Sequence, residues 1–504
     1  MKKTAFILLI AATLSGCYKD LGNYEYKDVG DIEISNIEEQ YARLQRDTLR
    51  ISPELSFSTP VAESDLEFEW MCIQSLSTDE SGKRIIGTSR NLEWEITGAT
   101  GNYNLFYRVR NKKTGVQYHK LFNLEVQTST YEGWVILSDV EGLARIDMVS
   151  RQTDGADKVF IDISGTSGAP MPALRGPRAL SIGSDYVSQV GTVQSLYVLT
   201  DDGTQKINAN TWQWTPKHDM LREMLAPVPQ PFRPVMHQPY GSCFVIVTSD
   251  KEMYAMYPQN GIGYGAPVNK LAGTNEPIDP APFIAIPVFV APNICMVFDK
   301  SRRWFLRLDA ASDRGCDTIP TPPNALFSYK IGKDLLWMGY TRFNGGNNIA
   351  VMKDPVTKKH FLVRITLAGN TPLFQQDQYL EINESTGDIA NAEQFAFGQS
   401  LGYLLYSVGS KLYQFDINYN THKLMADVSP EVITSVKTRP HLKTTEPYAT
   451  YQQSVVVGSH LPGGTEGSNG KVRIYRMPER NEPFELFREW SGFGKVVDIS
   501  YRVR

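Results

Sequence analysis

Positive charge and cysteine are both scarce in this chain of 504 residues, and each scarcity removes a class of protein. Lys and Arg number 51 against 55 Asp and Glu, a formal net charge of −4, or −6 once Lys2 and Lys3 are set aside. Such a surface lacks the positive field that draws a protein to nucleic acid, so no nucleic-acid partner is expected. Five cysteines are present, and Cys72, Cys243, Cys295 and Cys316 show no CxxC or knottin-like spacing. Buried thiols are expected there rather than a disulfide framework. HExxH, GxSxG, GxGxxG, Walker-type and EF-hand signatures are all missing. The seven histidines, at 119, 218, 237, 360, 422, 441 and 460, have no metal-ligand spacing, so no metal, cofactor or catalytic residue is assigned. What the chain does have is aromatic surface: 25 Tyr, 22 Phe and 8 Trp suit β-rich structure and offer flat faces to ligands.

The amino terminus sets the compartment. Lys2 and Lys3, the apolar run from Ala5 to Ala12, and Leu14-Ser15-Gly16-Cys17 form a charged region, a short apolar region and a small-residue cleavage site. That run is too short to span a bilayer. Residues 1–16 therefore read as a signal peptide, and LSGC resembles a bacterial lipobox, which implies lipidation of Cys17 and a mature chain anchored to a membrane. Each buried acyl methylene contributes about 0.8 kcal/mol, so several chains hold a protein there stably. The alternative is a plain secretory signal with an incidental cysteine. Residues 17–30, polar and glycine-bearing, read as a tether. Lys19-Asp20 resembles the charged signals that send Bacteroidota lipoproteins to the outer face of the outer membrane; a periplasm-facing protein is the alternative.

Residues 31–127 alternate apolar and polar side chains in short runs: DIEISNI, TLRISPELSFS, LEFEWMCI, NLEWEI and NLFYRVRNKKTGVQYHKLFNLEV. Period-two alternation punctuated by Gly, Asn, Ser and Pro predicts about seven strands and an immunoglobulin-like sandwich. Trp70 is expected in its core, and Gly101-Asn102-Tyr103 resembles a tyrosine corner ahead of the last hairpin.

From residue 131 onward one unit recurs: an apolar run, a tight Asp/Gly-rich turn and an alternating run. It starts at 134, 196, 243, 294, 348, 403 and 454. A period near 50 residues excludes helical solenoids and fits propeller blades. Shorter runs precede the second to seventh hairpins: RALSIG, PVMHQ, FIAIPVFV, LFSYKIG, EQFAFGQ and VITSVK. The first hairpin has none, and the missing strand reads as KVVDISYRV from Lys495. An open ring would expose strand edges, and a carboxyl-terminal strand laid beside the first hairpin removes them. The fold class is therefore all-β: an Ig/PKD-like sandwich followed, over 131–504, by a seven-bladed β-propeller closed by its last strand. Two stacked sandwiches, the competing architecture, would not predict that offset. Cys295 and Cys316 should lie on strands separated by another strand, too far apart to bridge.

Propeller ligands usually meet the face built from hairpin turns and the loops leading into inner strands. Here those loops read PMPALRGPR, APVPQPFRPVMH, PIDPAPF and WSGFGK, in which Pro lowers the entropy lost on binding. Arg178, Phe232, Arg233, His237, Phe283 and Phe493 are the binding candidates, with Trp212 and Trp214 of WQWTP beside them. The competing role for these side chains is to plug the channel, solvate its rim or pack between blades. Thr200-Asp201-Asp202-Gly203-Thr204 is similar to a sialidase Asp box, but its spacing fits a plain hairpin turn better.

The stretch CYKDLGNYEYKDVGDIEI, followed by a PKD-like module and a β-rich remainder, resembles the PKD-like family lipoproteins of Bacteroidota. The resemblance implies a surface accessory protein of SusC/SusD-type nutrient-uptake loci, with a glycan, a peptide or the SusC/SusD complex as its partner. It supplies no catalytic residue. The expectation is thus a non-catalytic outer-membrane lipoprotein. A propeller-type glycoside hydrolase or polysaccharide lyase is the second reading, and a purely structural scaffold the third.

Overall fold

The computed structural model describes residues 31–503 apart from 46, 75–82, 97–100, 153, 188–190, 217–218, 241–242, 257–262, 286–293, 310–311, 368–373, 440–444 and 481. The expected leader, Cys17 and tether lie outside the described residues. The chain divides into two compact units, Met1–Gln127 and Thr128–Arg504. Among the described residues the secondary structure is almost wholly β, and no helix is long and apolar enough to cross a membrane.

In the first unit a five-stranded sheet runs Gln40–Leu44, Gln117–Gln127, Gly101–Asn111, Leu66–Gln74, Lys83–Gly87, its first pair parallel and the others antiparallel. Two antiparallel pairs accompany it: Ile32–Ser35 with Glu54–Phe57, and Thr48–Ile51 with Leu92–Glu95. Alternation sends Trp70, Leu105, Tyr107 and Leu124 inward, all at 0% exposure. The Trp70 ring stacks on Tyr107 at 4.1 Å, and its indole N–H donates to the Ser89 carbonyl at 2.8 Å. Nine strands form here rather than about seven. The additional ones, QYARL and KRIIG, are short, polar edge strands whose composition carries little alternation. Gly101-Asn102-Tyr103 opens a strand instead of turning a corner, and Tyr103 packs in the core.

The second unit is a succession of small antiparallel sheets with no closed barrel. In the first sheet, Gly133–Val140 pairs with Leu143–Arg151, which pairs with Asp157–Phe160. The other edge of Gly133–Val140 is taken by Lys495–Arg502, with Gly133 opposite Arg502 and Trp134 opposite Tyr501. The second sheet is Pro177–Val187, Gly191–Thr200, Gly203–Asn208, and the third is Pro234–Tyr240, Cys243–Thr248, Met253–Met256. The fourth is Ile294–Asp299, Trp304–Asp309, Cys316–Thr318. Four strands make each of the others: Asp334–Thr341, Asn347–Lys353, His360–Leu367 and Phe374–Glu381 in the fifth; Gln394–Phe397, Tyr403–Val408, Lys411–Asp416 and Thr421–Asp427 in the sixth. The seventh is Val432–Lys437, Ser454–His460, Gly470–Arg476 and Glu485–Phe493.

Strands such as WVIL, YVL, FVIV and VVV are apolar on both faces because each sheet packs against a sheet on either side. Leu137 and Met148 of the first sheet share a core with Leu196 and Val198 of the second. Leu199 meets Phe244 of the third, and Val247 meets Val297 of the fourth. Met296 meets Met352 of the fifth, Val351 meets Leu404 of the sixth, and Leu405 meets Val457 of the seventh. A further cluster joins Val456 and Ile474 of the seventh sheet to Trp134, Val496 and Tyr501 of the first. Arg502, buried to 1% exposure, ties the tail down by donating to the carbonyl of Thr130 at 2.6 Å and to Gln194 at 3.2 Å.

Two expected strands differ. LFSYKIG forms no strand: its backbone detours so that Phe327 and Tyr329 drop into the core between the fourth and fifth sheets, and DLLWMGYT supplies the strand instead. FIAIPVFV is represented by a bridge from Ala285 to Met296, its part from residue 286 onward lying outside the described residues. Cys295 faces Leu308, which faces Cys316, so one strand separates the two sulfurs and they form no disulfide. Burial pushes the Cys316 thiol up to about 12 and that of Cys72 to about 11.

Candidate functional site

A cavity of about 770 Å³ is lined by one segment from each of the seven sheets of the second unit. The segments are 179–182, 235–238, 282–284, 337–340, 395–399, 436–439 and 498–503, the leading strand or strand-like run of each sheet. A leading strand pairs on one side only, which leaves its other edge and part of its side chains facing the cavity.

The lining is uneven. Phe283 of the fourth sheet, Trp337 and Tyr340 of the fifth and Phe395 of the sixth are half-buried and supply an aromatic arc. The Trp337 ring lies across Gly339, where a Cβ would stand 2.8 Å from the ring's Cζ2, so glycine there makes room for the ring. The seventh sheet brings Lys437 and Arg439, and the closing strand brings Asp498 and Ser500. Asp498 accepts from Lys437 at 2.8 Å and from the backbone N–H groups of Leu180 and Ile499, each at 2.9 Å. Arg439 donates to the Tyr501 carbonyl and lies 5.9 Å from the centroid of that residue's ring. Gln399 orders the neighbouring rim: its amide donates to Thr438 at 3.1 Å while its Oε1 accepts from the Arg342 backbone N–H at 3.1 Å.

Two buried polar groups support the wall. The ring of His237 hydrogen-bonds through Nδ1 with Ser181 Oγ at 2.6 Å and through Nε2 with Tyr264 Oη at 3.1 Å. Burial, with Lys206 nearby, lowers its pKa to about 3, so the ring is neutral and a poor general base at pH 7. Glu132 Oε1 accepts from Tyr448 at 2.5 Å and Tyr501 at 2.6 Å, fixing two tyrosines that line the cavity. Burial above all, reinforced by the Glu132 carboxylate, pushes the Tyr501 hydroxyl far above the usual phenol range.

Of the residues singled out from the sequence, His237 and Phe283 line the cavity. Arg178 and Arg233 are exposed and converge on Asp201 of the second sheet's hairpin turn, Arg178 through an ion pair and Arg233 through the Asp201 carbonyl at 3.0 Å. They fasten that turn and are not among the residues lining the cavity. Phe232, Phe493 and Trp212 are buried between sheets at 5%, 0% and 3% exposure, where tight packing denies a ligand their faces. The Trp212 indole donates to Thr130 at 2.9 Å, and that of half-buried Trp214 to Gln205 at 2.7 Å. Cys17 lies outside the described residues. Sequence reading missed Trp337, Tyr340, Phe395, Lys437 and Arg439. The signal was available: each falls on, or just beyond, the strand leading a hairpin, and those strands rather than the loops before them line the cavity.

No group of His, Cys, Asp and Glu among the described residues is arranged to hold a metal ion. No curated protein matches the chain. Among solved structures, a quinonprotein alcohol dehydrogenase-like protein of Bacteroides thetaiotaomicron VPI-5482 is 9% identical, with a TM-score of 0.43 over 92% of this chain and 97% of that one. A computationally designed protein is 10% identical, TM-score 0.37, over 74% and 91%. The extracellular domain of a B. thetaiotaomicron protein described as a hybrid two component system is 10% identical, TM-score 0.35, over 63% and 36%. Residues 17–172 match the PKD-like family, a span that takes in the whole sandwich unit and the first hairpin of the unit that follows.

Proposed function

We propose that the protein is a non-catalytic surface lipoprotein, anchored through Cys17, whose second unit is a seven-bladed propeller that captures a nutrient at its central cavity. The observation that carries this reading is the cavity itself, to which every sheet contributes its leading segment. Its volume, its aromatic arc and its few fixed polar groups have the character of a small-ligand site. The pairing of Lys495–Arg502 with Gly133–Val140 and the core shared by the seventh and first sheets support the closed ring. The LSGC lipobox and the PKD-like match support export and a spacer module beneath the propeller.

Binding is favoured over hydrolysis by the state of the polar groups. Asp498 is the sole carboxylate side chain among the described lining residues, and it is held by Lys437, whereas glycoside hydrolysis ordinarily needs two carboxyl groups about 5 to 9 Å apart. The test is a glycan and peptide array probed with the purified protein, alongside co-purification with SusC/SusD-type partners. Retention of one ligand class, lost on Trp337→Ala, is expected. Empty arrays together with empty co-purification would overturn the proposal.

A further inference from the structure

Resting on that reading, we infer that the cavity selects an anionic saccharide, a uronate-bearing oligomer whose carboxylate meets Arg439 while its sugar rings lie on the aromatic arc. The chain as a whole carries a net charge of −4, yet the described residues lining the cavity include Lys437 and Arg439 against Asp498 alone. Since Asp498 bonds to Lys437 and two backbone N–H groups, the formal excess at the cavity is positive, opposite in sign to the protein. A charge inside a low-dielectric recess is screened less than one on the surface, so this local excess governs which ligand is drawn in.

The placement of the groups gives the class its second feature. The cations come from the seventh sheet, the half-buried rings of Phe283, Trp337 and Phe395 from the fourth to the sixth. A ligand filling the cavity thus meets positive charge on one side and flat apolar faces on another. A uronate ring presents both partners, a planar carboxylate suited to a guanidinium fork and a C–H face suited to stacking. Hydroxyl and amide groups of Ser181, Gln238, Thr438 and Ser500 stand between these arcs, matching the hydroxyl rim of a pyranose.

The experiment is titration calorimetry of the full-length protein in mild detergent with tetramers of galacturonate, mannuronate and glucuronate, each against its methyl ester. At least one acid form is expected to bind about tenfold more tightly than its neutral ester. The preference should shrink as salt rises from about 0.05 to 0.3 M. Arg439→Gln should abolish the preference while leaving the melting temperature near that of the parent, and Arg439→Lys should keep part of it. Equal binding of acid and ester, unmoved by Arg439→Gln, would overturn the charge selection and leave nutrient capture standing. Binding of polyglutamate but of no uronate would overturn it in favour of an acidic peptide. No binding of any uronate, with a neutral glycan retained on the array, would overturn this inference alone, whereas empty arrays as well would remove the capture function too.

Discussion

Trp134 and Tyr501 stand directly opposite each other in the first sheet of the second unit, ring centroids 4.7 Å apart and edge to face, although they belong to its first and last strands. Tyr501 also donates its hydroxyl to Glu132, which it shares with Tyr448. The closure of the unit is therefore an aromatic contact backed by a buried hydrogen bond, and the two can be separated by mutation. Tyr501→Phe should cost about 1–3 kcal/mol through the lost donor to a buried carboxylate. Tyr501→Ala should cost about 3–5 kcal/mol because a cavity is added to that loss. Urea unfolding followed by tryptophan fluorescence measures both, and equal costs would mean that the ring contributes nothing.

Gly458, in the seventh sheet, tests the same seam from the other side. A Cβ there would lie 2.4 Å from Cγ1 of Val496 in the closing strand. Gly458→Ala should destabilise by about 1–3 kcal/mol through overpacking. Val496→Ala in the same chain should restore part of that, a non-additive coupling that only direct contact produces. Thermal melts of the two single variants and the double one read it out.

Acid should weaken the second unit in two overlapping stages. His237 is held neutral to about pH 3, whereas its ordinary value is 6.5, so below pH 6.5 the unfolded chain takes up a proton that the folded one refuses. Burial alone would raise the Glu431 carboxyl, but bonds from Arg473, Ser459 and Lys471 bring it down to about 2 from an ordinary 4.5. Both contributions are complete above pH 6.5. That of His237 is lost as pH falls from 6.5 towards 3, and that of Glu431 as pH falls from 4.5 towards 2. Each proton linkage has a limiting slope of about 1.4 kcal/mol per pH unit. His237→Gln should flatten the profile between pH 6.5 and 4.5, and Glu431→Gln should flatten only the lower limb. Denaturant titrations across pH measure the slopes, and an unchanged upper limb in His237→Gln would refute the assignment.

Gly339 is the most economical probe of the cavity. Its substitution by Ala places a methyl against the Trp337 ring without touching charge or the seams between sheets. Ligand retention should fall several-fold in Gly339→Ala, and further in Trp337→Ala, while the melting temperature changes little. A large drop in melting temperature in either variant would instead make Trp337 a packing residue.

The repeats were legible because sheets packed on both faces must be apolar at every position of their middle strands. Runs such as FVIV and VVVG have no other use in a chain that also spaces Asp/Gly turns so regularly. The returning strand at Lys495 was legible for a related reason, since the first hairpin lacked a leader and the tail had one to spare. Composition misleads where a run is apolar without being extended: LFSYKIG carries Phe327 and Tyr329 into a core as a loop, and DLLWMGYT beside it is the strand. The site was read less well. Phe232 and Phe493 stand in loops that look ligand-facing, yet they fall where neighbouring sheets converge and are sealed between them. Facing and burial at such positions depend on which sheets meet, a long-range property that local alternation does not encode.

Lys495–Arg502 completes a sheet begun at Gly133, so the last segment to leave the ribosome finishes the first sheet of its unit. Every truncation that ends before Lys495, however near the carboxyl terminus, strips Gly133–Val140 of its neighbour and uncovers a long apolar edge. A premature stop in the final codons is therefore as damaging to this unit as one placed much earlier, and a purification tag belongs at the other end of the chain.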